Sequence, residues 1–467
     1  MADFLKRHKL DIAIFTLALI VRLFFFSLNV SATHGDIIGA IYGDDGYFEI
    51  SKNIVLGNGF SWDAAPPYTP NALRTPGYIF FLSGLLAVSG SYLFTIFIQI
   101  LIGSCIPILA RHLAHKLSDS MKVGFWVGIA LALEPYLSVF SSIFYTETLF
   151  IFIFLASILV FLSYLEKGSL RALVWSSVML ALATLTKTTT QYLPIFFALI
   201  SLWRFSGVFS RRKNLGYACA FILVFVSVMS PWFYRNYHEF GVVGLSAQPA
   251  YNAYVYFMPS ILAIENGTSI TDELAKHVDP KVSGGKVITL ANSSYYQSQA
   301  LSIVMYYPAA LVRSLGITLV TFFTHDGMLT VLGHAGYVPH TGLEKPALSF
   351  LLSSPLMFMK VVWTSIQGPF ALVFVMRLVW IMITGLFFIG FFGFSRNKWR
   401  DPKTYFIAGL VAYFALTTAI GGLGVNARYR MPVNPIILTF AFIGVGYTLT
   451  YLSKRFTSLR NKENTVS

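Results

Sequence analysis

The chain has 467 residues, of which 56% are hydrophobic and only 12% charged, and its formal net charge is +14. A soluble domain carries about 25% charged residues, so an array of soluble domains is excluded. The positive charge does not point to nucleic acid: 20 of the 34 Lys and Arg lie in six short clusters (Lys6–Lys9, Arg111–Lys122, Lys167–Arg171, Arg204–Lys213, Arg396–Lys403 and Lys454–Lys462), each abutting an apolar run. That is the pattern of positive-inside topology signals.

The apolar runs are continuous rather than alternating, and a bilayer crossing needs about 20 residues of helix. Helices and closed barrels are the structures that satisfy every backbone group in lipid, so the spacing predicts an all-α polytopic membrane protein. Helix 1 is expected over Leu10–Val30, read as a retained span rather than a cleaved signal core. A polar loop follows, and Pro76–Gly90 is too short to cross, which suggests an interfacial or re-entrant segment. Crossings are then expected at Tyr92–Leu113, Val123–Phe140, Thr148–Leu165, Ala172–Thr186, Tyr192–Phe205 and Leu215–Phe233. A mostly polar region runs from there to about Gln299. Leu301–Phe323 and Ala347–Thr364 either insert as one more pair or lie along the surface. Pro369–Phe394, Tyr405–Gly421 and Ile436–Leu452 complete ten crossings, or twelve with the extra pair. Three sections result: 1–235 with its first external loop (31–91), a mostly external 236–368, and 369–467 with a basic tail. The clusters place both termini in the cytoplasm.

The chemistry-bearing residues collect on the other side. The first external loop reads Tyr42-Gly43-Asp44-Asp45-Gly46-Tyr47-Phe48-Glu49 and ends in Arg74-Thr75-Pro76-Gly77-Tyr78. Adjacent carboxylates repel unless a cation offsets them, which makes Asp44 or Asp45 a candidate general base. Such a pair can also be merely hydrated, because an external loop tolerates charge. Glu147, in Tyr145-Thr146-Glu147, stands at the external start of a helix, where the helix dipole favours it. Glu134 lies inside an apolar run. Cations oppose the positive-inside trend at Arg74, Lys187, Arg235, Arg428 and Arg430, all at predicted external helix ends. A guanidinium fork matches phosphate and Lys supplies a point charge. Snorkelling to headgroups accounts for one such residue, but less well for the set. His325-Asp326, His334 and His340 are spaced nine and six residues apart, which matches no metal-ligand motif.

These motifs resemble the GT-C membrane glycosyltransferases, in the branch of the protein mannosyltransferases and aminoarabinose transferases. Asp44-Asp45, Gly57-Asn58-Gly59-Phe60 and Arg74-Thr75-Pro76-Gly77-Tyr78 look like the opening of that branch. Glu147 is similar to its second-loop acid. Pro231-Trp232 with Arg235-Asn236, and Arg428-Tyr429-Arg430-Met431-Pro432, look like its later segments. The resemblance implies a bundle of about 10–12 helices with an external active-site layer. It also implies an inverting transfer from a polyprenyl-phosphate sugar, outside the cell membrane, to a glycan, lipid or protein acceptor, and no nucleic-acid partner. In that mapping Asp44 is the base, while Asp45 and Glu147 orient it or bind the acceptor. Arg74, Lys187, Arg235, Arg428 and Arg430 hold the phosphate; Tyr47, Asn236 and Tyr429 join them as substrate-binding residues. No cofactor is required by the pattern, and a divalent metal is left open. A transporter or flippase of a phosphorylated lipid is the alternative that needs the cations but not the acids.

Overall fold

The computed structural model describes residues 2–43, 45–204, 210–338, 354–365, 370–398, 401–423 and 426–463. Every regular element among them is helical. Six helices are long and apolar enough to cross a membrane: His8–Ala32, Tyr92–Ser118, Glu147–Lys167, Arg211–Phe240, Phe370–Arg396 and Ala427–Arg455. Two bent pairs raise the number to eight, and Pro76–Ser89 and Leu170–Thr186 are shorter apolar helices. The chain is an integral multi-pass membrane protein.

Prolines explain the bends. Met121–Leu133 and Pro135–Ser141 meet at 58°, where a single straight crossing was expected over Val123–Phe140. Proline cannot donate to the preceding turn and disfavours helical geometry before it. The Glu134 carboxylate caps the second half by accepting from the Leu137 N–H at 2.5 Å. The ambiguous Leu301–Phe323 stretch resolves into Ser293–Tyr306 and Pro308–Thr324, bent by 100° at Tyr307-Pro308. The run read as Ala347–Thr364 is described only from Ser354, with a helix over Pro355–Ser365.

Glu147–Lys167 is the central helix, with Phe150, Phe154, Phe161 and Leu165 buried. It crosses Leu170–Thr186 through reciprocal bonds between Ser157 and Ser176, each hydroxyl donating to the other's carbonyl at 2.9 and 3.1 Å. Small residues let the last long helix, Asn434–Glu463, lie directly on Phe370–Lys398: a Cβ on Gly390 or Gly444 would meet the other helix's backbone. Close approach of this kind is how helices associate without a hydrophobic drive between them.

The basic clusters gather at one end of the bundle. Glu166 joins Lys116 at 2.5 Å and Lys403 at 2.9 Å, and Arg111 meets Asp11 at 2.5 Å. Glu147, at the other end of the 21-residue central helix, is about 30 Å away at 1.5 Å per residue.

A second layer caps that far end. The region from 236 to 299 is largely helical rather than loop, with elements at Gln248–Tyr251, Asn252–Phe257, Met258–Asn266 and Ile270–His277. It has its own apolar core of Tyr251, Val255, Phe257, Ile261, Val278 and Ile288, to which the first loop contributes Ala72 and Leu73. Asn252–Phe257 is a π-helical turn, a form that concentrates at functional sites.

Candidate active site

The two acidic loops are stitched together by their backbones. The Phe144 N–H donates to the Ile41 carbonyl at 2.9 Å. Gly43 lies so close to Phe144 that a Cβ there would sit 2.6 Å from its carbonyl oxygen. The loop that ends in Asp45 is therefore fixed against the turn that begins the Glu147 helix. Between them stands Arg428, on the short helix Asn426–Arg430. Its Nε meets Glu147 Oε1 at 2.5 Å, and its Nη2 meets Asp45 Oδ2 at 2.9 Å and Glu147 Oε2 at 3.3 Å. The guanidinium lies over the Tyr145 ring, 4.5 Å from its centre. Residues 383 positions apart in sequence thus share one proton-rich fork.

The Arg74-Thr75-Pro76-Gly77-Tyr78 segment brings one more cation and braces the corner that carries another, Lys187. Arg74 Nη2 reaches Asp45 Oδ1 at 3.1 Å, over the Tyr47 ring at 5.3 Å. The Thr75 hydroxyl donates to the Thr186 carbonyl at 3.0 Å, beside Lys187. Pro76 opens the next helix, where its missing N–H costs nothing. Gly77 packs on the Leu185–Thr186 backbone, with 2.8 Å available where a Cβ would go. The Tyr78 hydroxyl donates to Gln99 at 2.6 Å, and Gln99 donates to the Ser141 and Ile143 carbonyls at 3.1 and 2.7 Å, just before the Glu147 turn. This five-residue motif clamps the Lys187 corner directly and the Glu147 turn through Gln99.

A steric test follows. Gly77→Ala is expected to cost about 1–3 kcal/mol, because backbone atoms cannot step aside as a side chain can. Gly84, on the same helix, has open space where a methyl would go, with nothing within 4 Å. Thermal unfolding in detergent should show a lower Tm for Gly77→Ala and none for Gly84→Ala; equal behaviour would refute the clamp.

Lys187 pairs with Glu147 Oε1 and lies 5.4 Å from the Tyr429 ring centre. Among the described residues the site thus sets two carboxylates, Asp45 and Glu147, against three cations, Arg74, Lys187 and Arg428. Burial would raise the Asp45 carboxyl, but the Arg74 and Arg428 guanidiniums outweigh it and hold it down at about 2. Asp45 is therefore ionised at neutral pH and a weaker base than a free carboxylate. Burial pulls the Lys187 ammonium below its usual range against the pull of Glu147. Burial acts the same way on Arg74, and there Asp45 wins and raises it. The Glu147 side chain is 1% exposed, whereas Asp45 and Arg428 keep 23% and 19%. The glutamate is the floor and the other two form an accessible rim.

The remaining expected site residues lie elsewhere or outside view. Asp44 lies outside the described residues. Tyr47 and Tyr429 carry Arg74 and Lys187 on their ring faces. Arg235 turns behind the site: it donates to the Asn71 carbonyl at 3.0 Å and to Asn236 at 2.8 Å, within a cage of Phe60, Trp232 and Phe240. Asn71 in turn accepts the Leu73 and Arg74 N–H groups, both at 2.9 Å. Asn236 donates to the Gly244 and Leu245 carbonyls. This pair therefore braces the backbone that carries Arg74. Arg430 is buried and donates to the Phe322, Phe323 and His325 carbonyls at 2.6–2.8 Å.

Gln248 was not anticipated. It accepts from Arg74 Nη1 at 3.0 Å, and an amide in a Gly- and Asn-rich stretch carries no sequence signal for that contact. Gln99 had one, a polar residue inside an apolar run. Among the described residues, no group of three His, Cys, Asp or Glu could hold a metal ion. Asp326 instead pairs with Arg377 at 2.5 Å and caps the Met328 N–H. His340 lies outside the described residues.

An all-helical membrane protein with a charged centre at one end of its bundle is the class these features define. Residues 73–232 match the family described as dolichyl-phosphate-mannose-protein mannosyltransferase, which bears out the GT-C resemblance and supports a glycosyltransferase of that type. No curated protein sequence matches the chain. Among solved structures, it is similar to the Archaeoglobus fulgidus oligosaccharyltransferase AglB in complex with an inhibitory peptide and a dolichol-phosphate, at TM-score 0.49 and 13% identity. That alignment covers 98% of this chain and 52% of that one. An Archaeoglobus fulgidus oligosaccharyltransferase in the apo form aligns at TM-score 0.48 and 11% identity, with the same coverage. The chain spans about half the length of these structures.

Proposed function

We propose that the protein is an inverting glycosyltransferase that moves a sugar from a polyprenyl-phosphate donor to an acceptor hydroxyl on the external face of the membrane, with both termini cytoplasmic. The observation that carries this reading is the meeting of Asp45, Glu147, Arg74, Lys187 and Arg428 at the bundle end opposite the basic clusters.

In the proposed reaction the acceptor oxygen attacks the anomeric carbon from the face opposite the phosphate. The carbon–oxygen bond to the phosphate breaks as the new one forms, so the configuration inverts. The hydroxyl proton passes to Asp44 and the lipid phosphate departs as an anion. Arg74, Lys187 and Arg428 are the cations placed to meet the charge that develops on the departing phosphate. Donors held in place for a developing charge stabilise it without reorganisation, typically by several kcal/mol in a dry site. Asp45 and Glu147 hold the Arg428 fork in place.

The test is transfer of label by purified protein from a radiolabelled polyprenyl-phosphate hexose, with and without EDTA. Asp44→Asn is expected to abolish transfer while leaving Tm unchanged. Full activity in that variant would remove Asp44 as the base. Lipid movement across liposomes without glycosyl transfer would favour the flippase instead.

A further inference from the structure

Arg74 does more than neutralise Asp45. Its second terminal nitrogen donates to Gln248 Oε1 at 3.0 Å, and Gln248 Nε2 donates to Asn252 Oδ1 at 2.7 Å. The polarity of this relay is forced. A guanidinium can only donate, so Gln248 must present its oxygen to Arg74 and its NH2 group to Asn252. Asn252 must then present its oxygen to Gln248, which leaves its own NH2 group as the outer end of the chain. Among the described residues, that Nδ2 has no hydrogen-bond partner. Hydrogen bonds in series polarise one another, so a chain anchored on a cation ends in a strengthened donor.

The surroundings have the same character. Tyr47 lies under Arg74, and Tyr429 is beside Lys187. Tyr251 packs edge-on against Tyr256 with ring centres 5.7 Å apart. Gln248 and Asn252 are one helical turn apart and both partly exposed, where the helix widens into its π-turn. Neutral amide donors and acceptors next to a cation match a polyol ring, which offers hydroxyls at its edge as both donors and acceptors. A phosphate would need none of them.

From this we infer that Asn252, held by Gln248 and Arg74, is a specificity-determining residue that reads ring hydroxyls of a hexose whose phosphate lies on the neighbouring cations. The inference rests on the proposed transfer for its biological meaning. Its test does not need turnover.

Purified full-length protein in detergent is titrated with hexose 1-phosphates of mannose, glucose and galactose, and with inorganic phosphate alone, with thermal shift as the readout. Wild type is expected to be stabilised by phosphate, further by one hexose 1-phosphate, and less by its epimers. Asn252→Ala should keep the phosphate shift, because the cations are untouched. It should lose the additional hexose shift and the ranking of epimers. In the transfer assay the same variant should raise KM for the lipid-linked sugar about tenfold, a 1.4 kcal/mol effect, with kcat within about threefold. An Asn252→Ala protein that keeps both the additional shift and the epimer ranking overturns the assignment. If wild type transfers nothing yet shows the ranking, the transferase reading fails and the hexose site stands. A wild type that responds equally to phosphate and to every hexose 1-phosphate sinks the hexose site while leaving the transferase reading intact.

Discussion

Replacing Arg428 by Gln is expected to abolish sugar transfer and to lower stability by about 3–5 kcal/mol. The stability loss follows from what is left behind. Glu147 is 1% exposed and, among the described residues, would keep Lys187 as its one cation, and Asp45 would keep Arg74 as its one cation. Breaking a buried pair by removing one partner strands a charge that burial already penalises, and losses of this size are usual. The activity loss follows from geometry, since among the described residues Arg428 is the one cation that touches both acids. Arg428→Lys should separate the two effects. An ammonium restores the charge but cannot reproduce a planar fork that meets two carboxylates at once, so part of the Tm should return and transfer should not. A Glu147→Gln change in the Arg428→Gln background should cost much less than in wild type, the signature of a shared interaction. Wild-type Tm with more than a tenth of the activity in Arg428→Gln would defeat the reading.

The bundle was largely legible because lipid leaves few choices. Continuous apolar runs bounded by Lys and Arg place Tyr92–Ser118, Glu147–Lys167 and Phe370–Lys398 within a few residues of their expected limits. What composition hides is a bend. Val123–Phe140 reads as one run, yet Glu134-Pro135 breaks it, and Tyr307-Pro308 turns another. In the polar region the reverse holds. Helices such as Ile270–His277, with its Ser269–Asp272 capping box, are short and amphipathic and so resemble loop when judged by hydropathy alone.

At the site, the residue types were readable and their assignments were not. Asp45, Glu147, Arg74, Lys187 and Arg428 come together as a sequence argument based on one membrane face would have them. Arg235 and Arg430 share that face and the same chemistry, but the structure commits them to backbone carbonyls. A guanidinium that will meet a phosphate and one that will meet a helix end look identical in sequence. Both answer a concentration of negative charge, one from a ligand and one from unpaired C=O groups. The neutral residues escaped for the opposite reason. Gln248 and Asn252 carry no charge to flag them, and only the fold shows that a cation aligns them.

The two arginines of Arg428-Tyr429-Arg430 should therefore fail differently. Arg430 is 1% exposed, lies 3.5 Å from the centre of the Trp380 ring, and donates to Asn434 and to three carbonyls at the end of Pro308–Thr324. Arg430→Ala takes the arginine donor from the Phe322 and His325 carbonyls, while Phe323 keeps the Thr384 hydroxyl at 2.8 Å; each buried group left unsatisfied costs about 1–3 kcal/mol, and a void opens beside Trp380. A loss of at least about 3 kcal/mol is expected, seen as a lower Tm. Arg430→Lys should recover little of it, because three ammonium protons cannot serve Asn434 and carbonyls on two sides. Below its transition, however, the folded Arg430→Ala protein should keep its KM for the lipid-linked sugar within about threefold, since none of these bonds involves Asp45, Glu147 or Lys187. An Arg430→Ala protein with an unchanged Tm and a KM raised tenfold or more would return Arg430 to the phosphate cradle, and would mean that the helix end finds its donors elsewhere.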